Sequence, residues 1–276
     1  MYDGRDIKKA LSPLALDNTS GSVKIAMDAV ALIRDILVRT DAASFGGALR
    51  LISRQLIGAQ PSMGIILNLA YRLRSMAGTS SAGEVMRYLD AFGTMVDAHT
   101  ARIAERMEKP LVSSARVMTW SSSSTVLASL RNAWDKGLRF KVIVTESRPV
   151  NEGAQMMKAL LKSSIPVTYT TDAAGMSMLA QGGIDTVLIG ADALFKRNVV
   201  CKTGSLAIAA LCKAKKVRLY GLCGTEKRIP GPLLGTFVIA DKPAKEITGF
   251  KHRSLTVANR YFERIPSSLF TKIVTD

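Results

Sequence analysis

From Arg116 onward, short runs rich in β-branched and apolar residues alternate with segments of helical spacing, and few folds accommodate that alternation. The runs are Arg116–Trp120, Arg139–Thr145, Pro166–Thr171, Asp185–Ile189, Arg218–Leu222 and Thr236–Ala240, and all six are expected to be strands. Helical spacing occupies Thr125–Lys136, Gly153–Ser163, Ala173–Gln181 and Ser205–Lys215 between them. Strands joined through helices run parallel with right-handed crossovers and need cover on both faces, which makes this half a Rossmann-like, mostly parallel, doubly wound sheet. Ligands in such sheets bind beyond the carboxyl ends of the strands, so the loops leaving those ends are where chemistry is expected.

The first half follows a different pattern. Residues 23–38 place apolar side chains at helical spacing behind possible caps in Asn18–Ser22. Ser44–Ile57 and Met63–Met76 repeat the pattern around Gln60-Pro61-Ser62, where the proline suits the first turn of the second helix. After a small, polar loop at Ala77–Gly83, Glu84–Lys109 is one long amphipathic helix stopped by Pro110. The chain is therefore read as α/β, with an N-terminal all-helical domain over residues 1–112 and the sheet domain over 113–276.

Four strand ends carry polar groups. Ser121–Ser124 follow the first strand and open a helix, so N–H groups, hydroxyls and the positive end of the helix dipole together favour an anion; capping alone also explains such a turn. Thr145–Gly153 offers Arg148, a guanidinium suited to bidentate phosphate contacts or to pairing with Glu146 or Glu152. Gly190-Ala-Asp192 places a carboxylate at a strand end. Lys196–Ser205, read as a loop, supplies Lys202 and the helix entry Gly204-Ser205, a second phosphate cradle unless Lys202 is simply solvated. No Walker motif and no Gly-x-Gly-x-x-Gly follows the first strand, and no cofactor is expected.

Charge points the same way. Residues 1–115 carry 14 Lys+Arg against 11 Asp+Glu, whereas residues 116–276 carry 24 against 11, so most of the +16 lies in the half with the serine turn. That field attracts phosphorylated metabolites, nucleotides, RNA or an acidic protein, although a general solubility role also accounts for scattered cations. Cys201, Cys212 and Cys223 are odd in number and lack metal-type spacing, and His99 and His252 are the only imidazoles, so neither a disulfide framework nor a metal site is expected. The cysteines are assigned to the core, with Cys201 set apart by its loop. The polar start Met1–Lys9 and the absence of an 18-residue apolar run lead to an expectation of a cytoplasmic protein without membrane contact.

Taken in order, Met118–Leu127, Val144–Pro149 with Gly153, Thr171-Asp-Ala173, Ile189–Asp192, and Lys202 with Gly204 resemble one superfamily. It contains the alpha, beta and delta regulatory subunits of translation initiation factor 2B, their archaeal relatives, methylthioribose-1-phosphate isomerase and ribose-1,5-bisphosphate isomerase. Ala59–Met63, Tyr261–Pro266 and Ile273–Asp276 extend the resemblance over nearly the whole chain, which looks most like the archaeal factor-related members. The resemblance implies a helical domain on a Rossmann-like domain and a homodimer or higher homo-oligomer formed through the latter.

It also implies a site. Isomerase members use a cysteine after the first strand and an aspartate in the Gly-Ala-Asp segment to move protons between the first two carbons of a sugar phosphate. Here Asp192 matches the aspartate, while Ser121 stands for the cysteine and Trp120 for the usual histidine. An unassisted serine hydroxyl is a far weaker acid than a thiol. Val38-Arg-Thr-Asp41 does not match the isomerases' Arg-Gly-Ala, Cys201-Lys202 replaces Asn-Lys, Ser205 replaces threonine, and Cys223–Lys227 fits only with a shift. The resulting expectation is a regulatory-type homologue without thiol chemistry, binding a phosphorylated small molecule through Ser122, Ser123, Ser124, Arg148, Lys202, Gly204 and Ser205, with a possible translation-factor partner. Two alternatives stay open: an aldose–ketose isomerase using Asp192 with Ser121 or a water, and an assembly protein whose basic surface binds RNA or an acidic partner.

Overall fold

The computed structural model describes residues 4–276. Met1–Asp3, part of the polar start read above, lie outside the described residues. The chain divides into two compact units, one of residues up to Ala98 with Glu226–Val238, the other of His99–Thr225 with Ile239–Asp276.

The first unit is helical: α1 (Gly4–Leu16), α2 (Ser22–Val38), α3 (Phe45–Ala59), α4 (Gly64–Met76) and the first part of α5 (Ala82–Arg106). Helix α4 is its centre, with Ile65, Ile66, Leu67, Leu69, Ala70 and Leu73 all buried. Each fully buried Leu or Ile contributes roughly 1.5–3 kcal/mol. The polar residues that interrupt this apolar stretch hold backbone carbonyls. Gln60 Nε2 donates to Leu14 O at 2.7 Å, Ser62 Oγ to Val238 O at 2.7 Å, and Asn68 Nδ2 to Glu226 O at 2.7 Å. Helix α5 starts in a capping box, Ser81 N–H on Glu84 Oε2 at 2.7 Å and Glu84 N–H on Ser81 Oγ at 3.3 Å.

Three local readings are corrected here. Helix α1 forms in a stretch of the all-helical region where no individual helix had been placed, burying Ile7, Leu11 and Leu14. Asn18–Ser22 supplies no side-chain cap to α2, whose N-cap is Gly21; Asp17 instead accepts from Thr19 and Ser20 N–H. Pro61 stands in a turn ahead of α4, not in its first turn.

In the second unit β1 (Arg116–Trp120), β2 (Lys141–Thr145), β3 (Val167–Thr170), β4 (Thr186–Gly190), β7 (Arg218–Leu222) and β9 (Lys272–Val274) form a parallel sheet in the order β3-β2-β1-β4-β7-β9. Alternate side chains serve opposite faces. Val117, Val142, Val144 and Leu188 pack with α6 (Ser124–Asp135), α7 (Gly153–Leu161) and the end of α5. Met118, Trp120, Ile143 and Val187 pack with α8 (Asp172–Ala180) and α9 (Ser205–Lys215). The sixth strand is not Thr236–Ala240, which is irregular, but β9, seated on β7 through Tyr220–Lys272 register.

The segment read as the loop Lys196–Ser205 contains β6 (Asn198–Lys202), the middle of a small antiparallel sheet with β5 (Ala193–Leu194) and β8 (Phe262–Pro266). Cys201 is therefore a strand residue, and it is buried, as are Cys212 in the helix Ser205–Lys215 and Cys223 just beyond β7. Among the described residues no helix is long and apolar enough to cross a membrane.

Candidate functional site

The strand order reverses between β1 and β4, although the two run parallel: β2 and β3 lie on one side of β1, while β4, β7 and β9 lie on the other. The crevice beyond the carboxyl ends of β1 and β4 is the usual ligand position in such sheets. Ser121–Ser124 leave β1 and Gly190-Ala-Asp192 leaves β4 at that point, with Trp120 in register with Ile189. The two turns touch: a Cβ on Gly190 would lie 2.3 Å from Ser123 Oγ, so only glycine lets the serine turn pack onto β4.

The four serines divide the work. Ser123 is the N-cap of α6, its Oγ accepting from Val126 N–H at 3.3 Å, so the capping explanation holds for that residue. Ser122 and Ser124 make no side-chain bond to the described residues. Ser121 has φ 67°, a left-handed conformation uncommon outside glycine. Its N–H donates to Ser147 Oγ at 2.8 Å and its Oγ to Glu152 Oε1 at 3.1 Å.

Glu152 is the junction of the site. Its Oε1 also forms the ion pair with Lys202 Nζ, and both side chains are largely buried, at 12% and 4% exposure. Its Oε2 is buried without a hydrogen-bond partner. Lys202 reaches this position because β6 alternates, Cys201 inward to the core and Lys202 to the other side, so Lys202 is not the solvated charge that was one of its two readings. The ammonium lies 4.8 Å from the centroid of the Tyr261 ring, and Lys242 Nζ lies 5.0 Å from it. Burial, followed by the neighbouring Glu246 carboxylate, pushes the Tyr261 phenol well above its ordinary range. Burial lowers the Lys242 ammonium from its usual value, opposed by Glu246.

Arg148 pairs with neither Glu146 nor Glu152 but donates from Nη2 to Glu246 O at 3.3 Å. Its loop is held at the backbone: the N–H groups of Ser147 and Arg148 both donate to the Asp172 carboxylate at 2.8 Å. Ser147 (φ 61°) and Asn151 (φ 58°) share the left-handed conformation of Ser121, so backbone strain gathers in these loops. Asp192 is half-buried beyond β4, its N–H on Val200 O at 2.8 Å.

At the second suggested cradle, Leu206 N–H in the first turn of α9 donates to Glu263 Oε1 at 2.7 Å, so a carboxylate of the chain itself already meets that helix N-terminus. Ser205 Oγ is buried without a partner. Gly204 (φ 97°) makes room for Trp120, whose Cζ2 would lie 2.4 Å from an added Cβ. The indole Nε1–H donates to Thr203 O at 2.9 Å.

Sequence reasoning thus named Asp192, Ser121 and Lys202, but not the carboxylate that joins the last two. Glu152 was seen only as a partner for Arg148. Ser147, Asp172 and Tyr261 lay inside segments already singled out, whereas Lys242, Glu246 and Asn259 carried no local signal. Asn259 is buried, with Nδ2 on Pro243 O at 2.9 Å and Glu246 Oε2 at 2.8 Å.

With this geometry in hand, three relatives are informative. A protein of Archaeoglobus fulgidus named ribose 1,5-bisphosphate isomerase is 26% identical over 98% of this chain and 88% of its own length. A methylthioribose-1-phosphate isomerase of Albidiferax ferrireducens is 26% identical over 74% of this chain and 59% of its own length. The solved structure of a translation initiation factor eIF-2B from Pyrococcus horikoshii OT3 superposes with a TM-score of 0.86 at 22% identity, covering 98% of this chain and 94% of that one; it bears on the fold alone. The isomerase names correct the expectation of a regulatory homologue without chemistry, favouring the isomerase alternative that was set beside it. The initiation factor 2 subunit family matches residues 18–276, and the chain belongs to that family.

Proposed function

We propose that this chain is an aldose–ketose isomerase acting on a phosphorylated ribose, of the class represented by ribose 1,5-bisphosphate and methylthioribose 1-phosphate. The observation that carries this reading is the packing of the serine turn after β1 against Gly190, which sets the Ser121 turn beside the segment bearing Asp192. Asp192 is assigned the main acid–base role and Ser121 the place of the family's thiol. A phosphate is held by the amides and hydroxyls of Ser122–Ser124 at the start of α6, with Lys202 as the cation, since Arg148 is turned to Glu246 O. Gly204 and Ser205 shape the wall beside Trp120. Like-sign charge across this half draws the anionic substrate inward.

Incubation with each of the two sugar phosphates in deuterated water, followed by proton and phosphorus NMR, tests this directly. Ketose phosphate carrying solvent deuterium is expected, with loss of product in Asp192→Asn. Absence of ketose from the wild-type protein with both substrates refutes the assignment, and ketose formed undiminished by Asp192→Asn removes Asp192 from its role.

A further inference from the structure

Resting on the isomerase reading, we propose that Glu152 is the residue through which Ser121 takes and returns a proton, and that Lys202 holds Glu152 in place until a substrate phosphate competes for the lysine. A lone serine hydroxyl is a poor proton carrier and needs an adjacent base. Here that base is present: Ser121 Oγ donates to Glu152 Oε1 at 3.1 Å, and the left-handed Ser121 is fixed by its N–H on Ser147 Oγ at 2.8 Å.

Glu152 occupies the N-cap position of α7, where a side chain ordinarily accepts an N–H of the first turn, yet it makes no such bond. Its carboxylate is turned to Ser121 and Lys202 instead, and Oε2 remains buried with an open acceptor position. A structural ion pair alone does not account for that orphaned oxygen, because buried polar atoms are ordinarily satisfied. The charged groups around the pair are Lys202 and, across the Tyr261 ring, Lys242, with Glu246 beyond.

In the proposed step Ser121 Oγ takes the proton from C2 as its own proton passes to Glu152 Oε1. The C2–H electron pair becomes the C1=C2 bond, the bond from C1 to the ring oxygen breaks, and that oxygen takes a proton from Asp192. On the return, Glu152 gives its proton back to Ser121 while Ser121 delivers one to C1. The C1=C2 pair forms the new C1–H bond, and the C2 hydroxyl proton goes to Asp192, leaving the ketone. Proton transfer by a positioned group accounts for factors of about 100 to 10,000 in rate.

Glu152→Gln tests both halves at once. It removes the proton acceptor, so kcat should fall about 100-fold or more. It also frees Lys202 from its counter-charge, so inorganic phosphate, followed by calorimetry, should bind more tightly, on the order of tenfold. A merely structural Glu152 would weaken both. Glu152→Asp keeps the charge but draws it one methylene away from Ser121; phosphate should bind as in the wild type while kcat falls. Ser121→Ala combined with Glu152→Gln should be no slower than the slower single variant. If the wild-type protein forms ketose that depends on Asp192 and Glu152→Gln keeps kcat within about threefold, this inference fails while the isomerase reading stands. No ketose from the wild-type protein removes both.

Discussion

Gly204→Ala separates a packing role for this glycine from the phosphate-cradle role suggested by its place in the sequence. Two independent costs apply. The backbone there has φ 97°, which an L side chain rarely adopts, at about 1–2 kcal/mol. The new Cβ would also lie 2.4 Å from Trp120 Cζ2, 3.0 Å from Cε2 and 3.3 Å from Cη2, and an overpacked contact of this kind costs about 1–3 kcal/mol. The sum is about 2–5 kcal/mol, a large part of an ordinary domain's stability. Gly182→Ala is the control, because Gly182 has φ 84° with nothing within 4 Å of an added Cβ, leaving only the backbone cost of about 1–2 kcal/mol. Urea denaturation followed by circular dichroism gives both values, and tryptophan fluorescence reports displacement of Trp120 from Thr203. In a Trp120→Phe background the steric part should vanish, so Gly204→Ala should become about 1–3 kcal/mol cheaper. If Gly204→Ala costs no more than Gly182→Ala, the packing argument is wrong and the glycine must be explained otherwise.

Two further outcomes are expected from charges in the second unit. Lys202→Met leaves the Glu152 carboxylate buried without its cation and should destabilise by about 3–5 kcal/mol, most of it recovered when Glu152→Gln is added; a double variant no more stable than Lys202→Met would refute this. Burial acts to raise the Asp276 carboxyl, but the N–H and hydroxyl of Thr225 and the nearby His99 outweigh it and hold the group below its ordinary 3.8. A depressed folded value means that its stabilisation is present above the unfolded value and is lost as pH falls through the folded one. Asp276→Asn should therefore flatten the stability–pH curve below about pH 4, measured by urea titration at stepped pH, and an unchanged acid limb would contradict the assignment.

The candidate site was half legible. Ser121–Ser124 and Asp192 stood out because a strand end that opens into small polar residues is a local pattern, and a parallel sheet directs attention to strand ends. The partner of Lys202 did not stand out, because it lies fifty residues earlier in the sequence, on the turn after β2, and no local pattern links the two. Arg148, chemically the more obvious phosphate ligand, is turned toward Glu246 O by a loop whose course is set by two N–H bonds to Asp172.

Sequence alone determined a helical first part ahead of a mostly parallel sheet, most helices within a residue or two, and five of the six strands of that sheet, since helical and strand periods are properties of neighbouring residues. Only tertiary structure decided the sixth strand, because the edge position is won by whichever short segment can pair with β7, and that is Lys272–Val274 rather than Thr236–Ala240. Pairing of β6 with β8 likewise turned Cys201 into the core and Lys202 onto Glu152, converting an apparent loop lysine into a buried charge. Ser121 was conspicuous from the start, but the carboxylate that gives its hydroxyl a proton partner reaches it only because β1 and β2 lie side by side in the folded sheet.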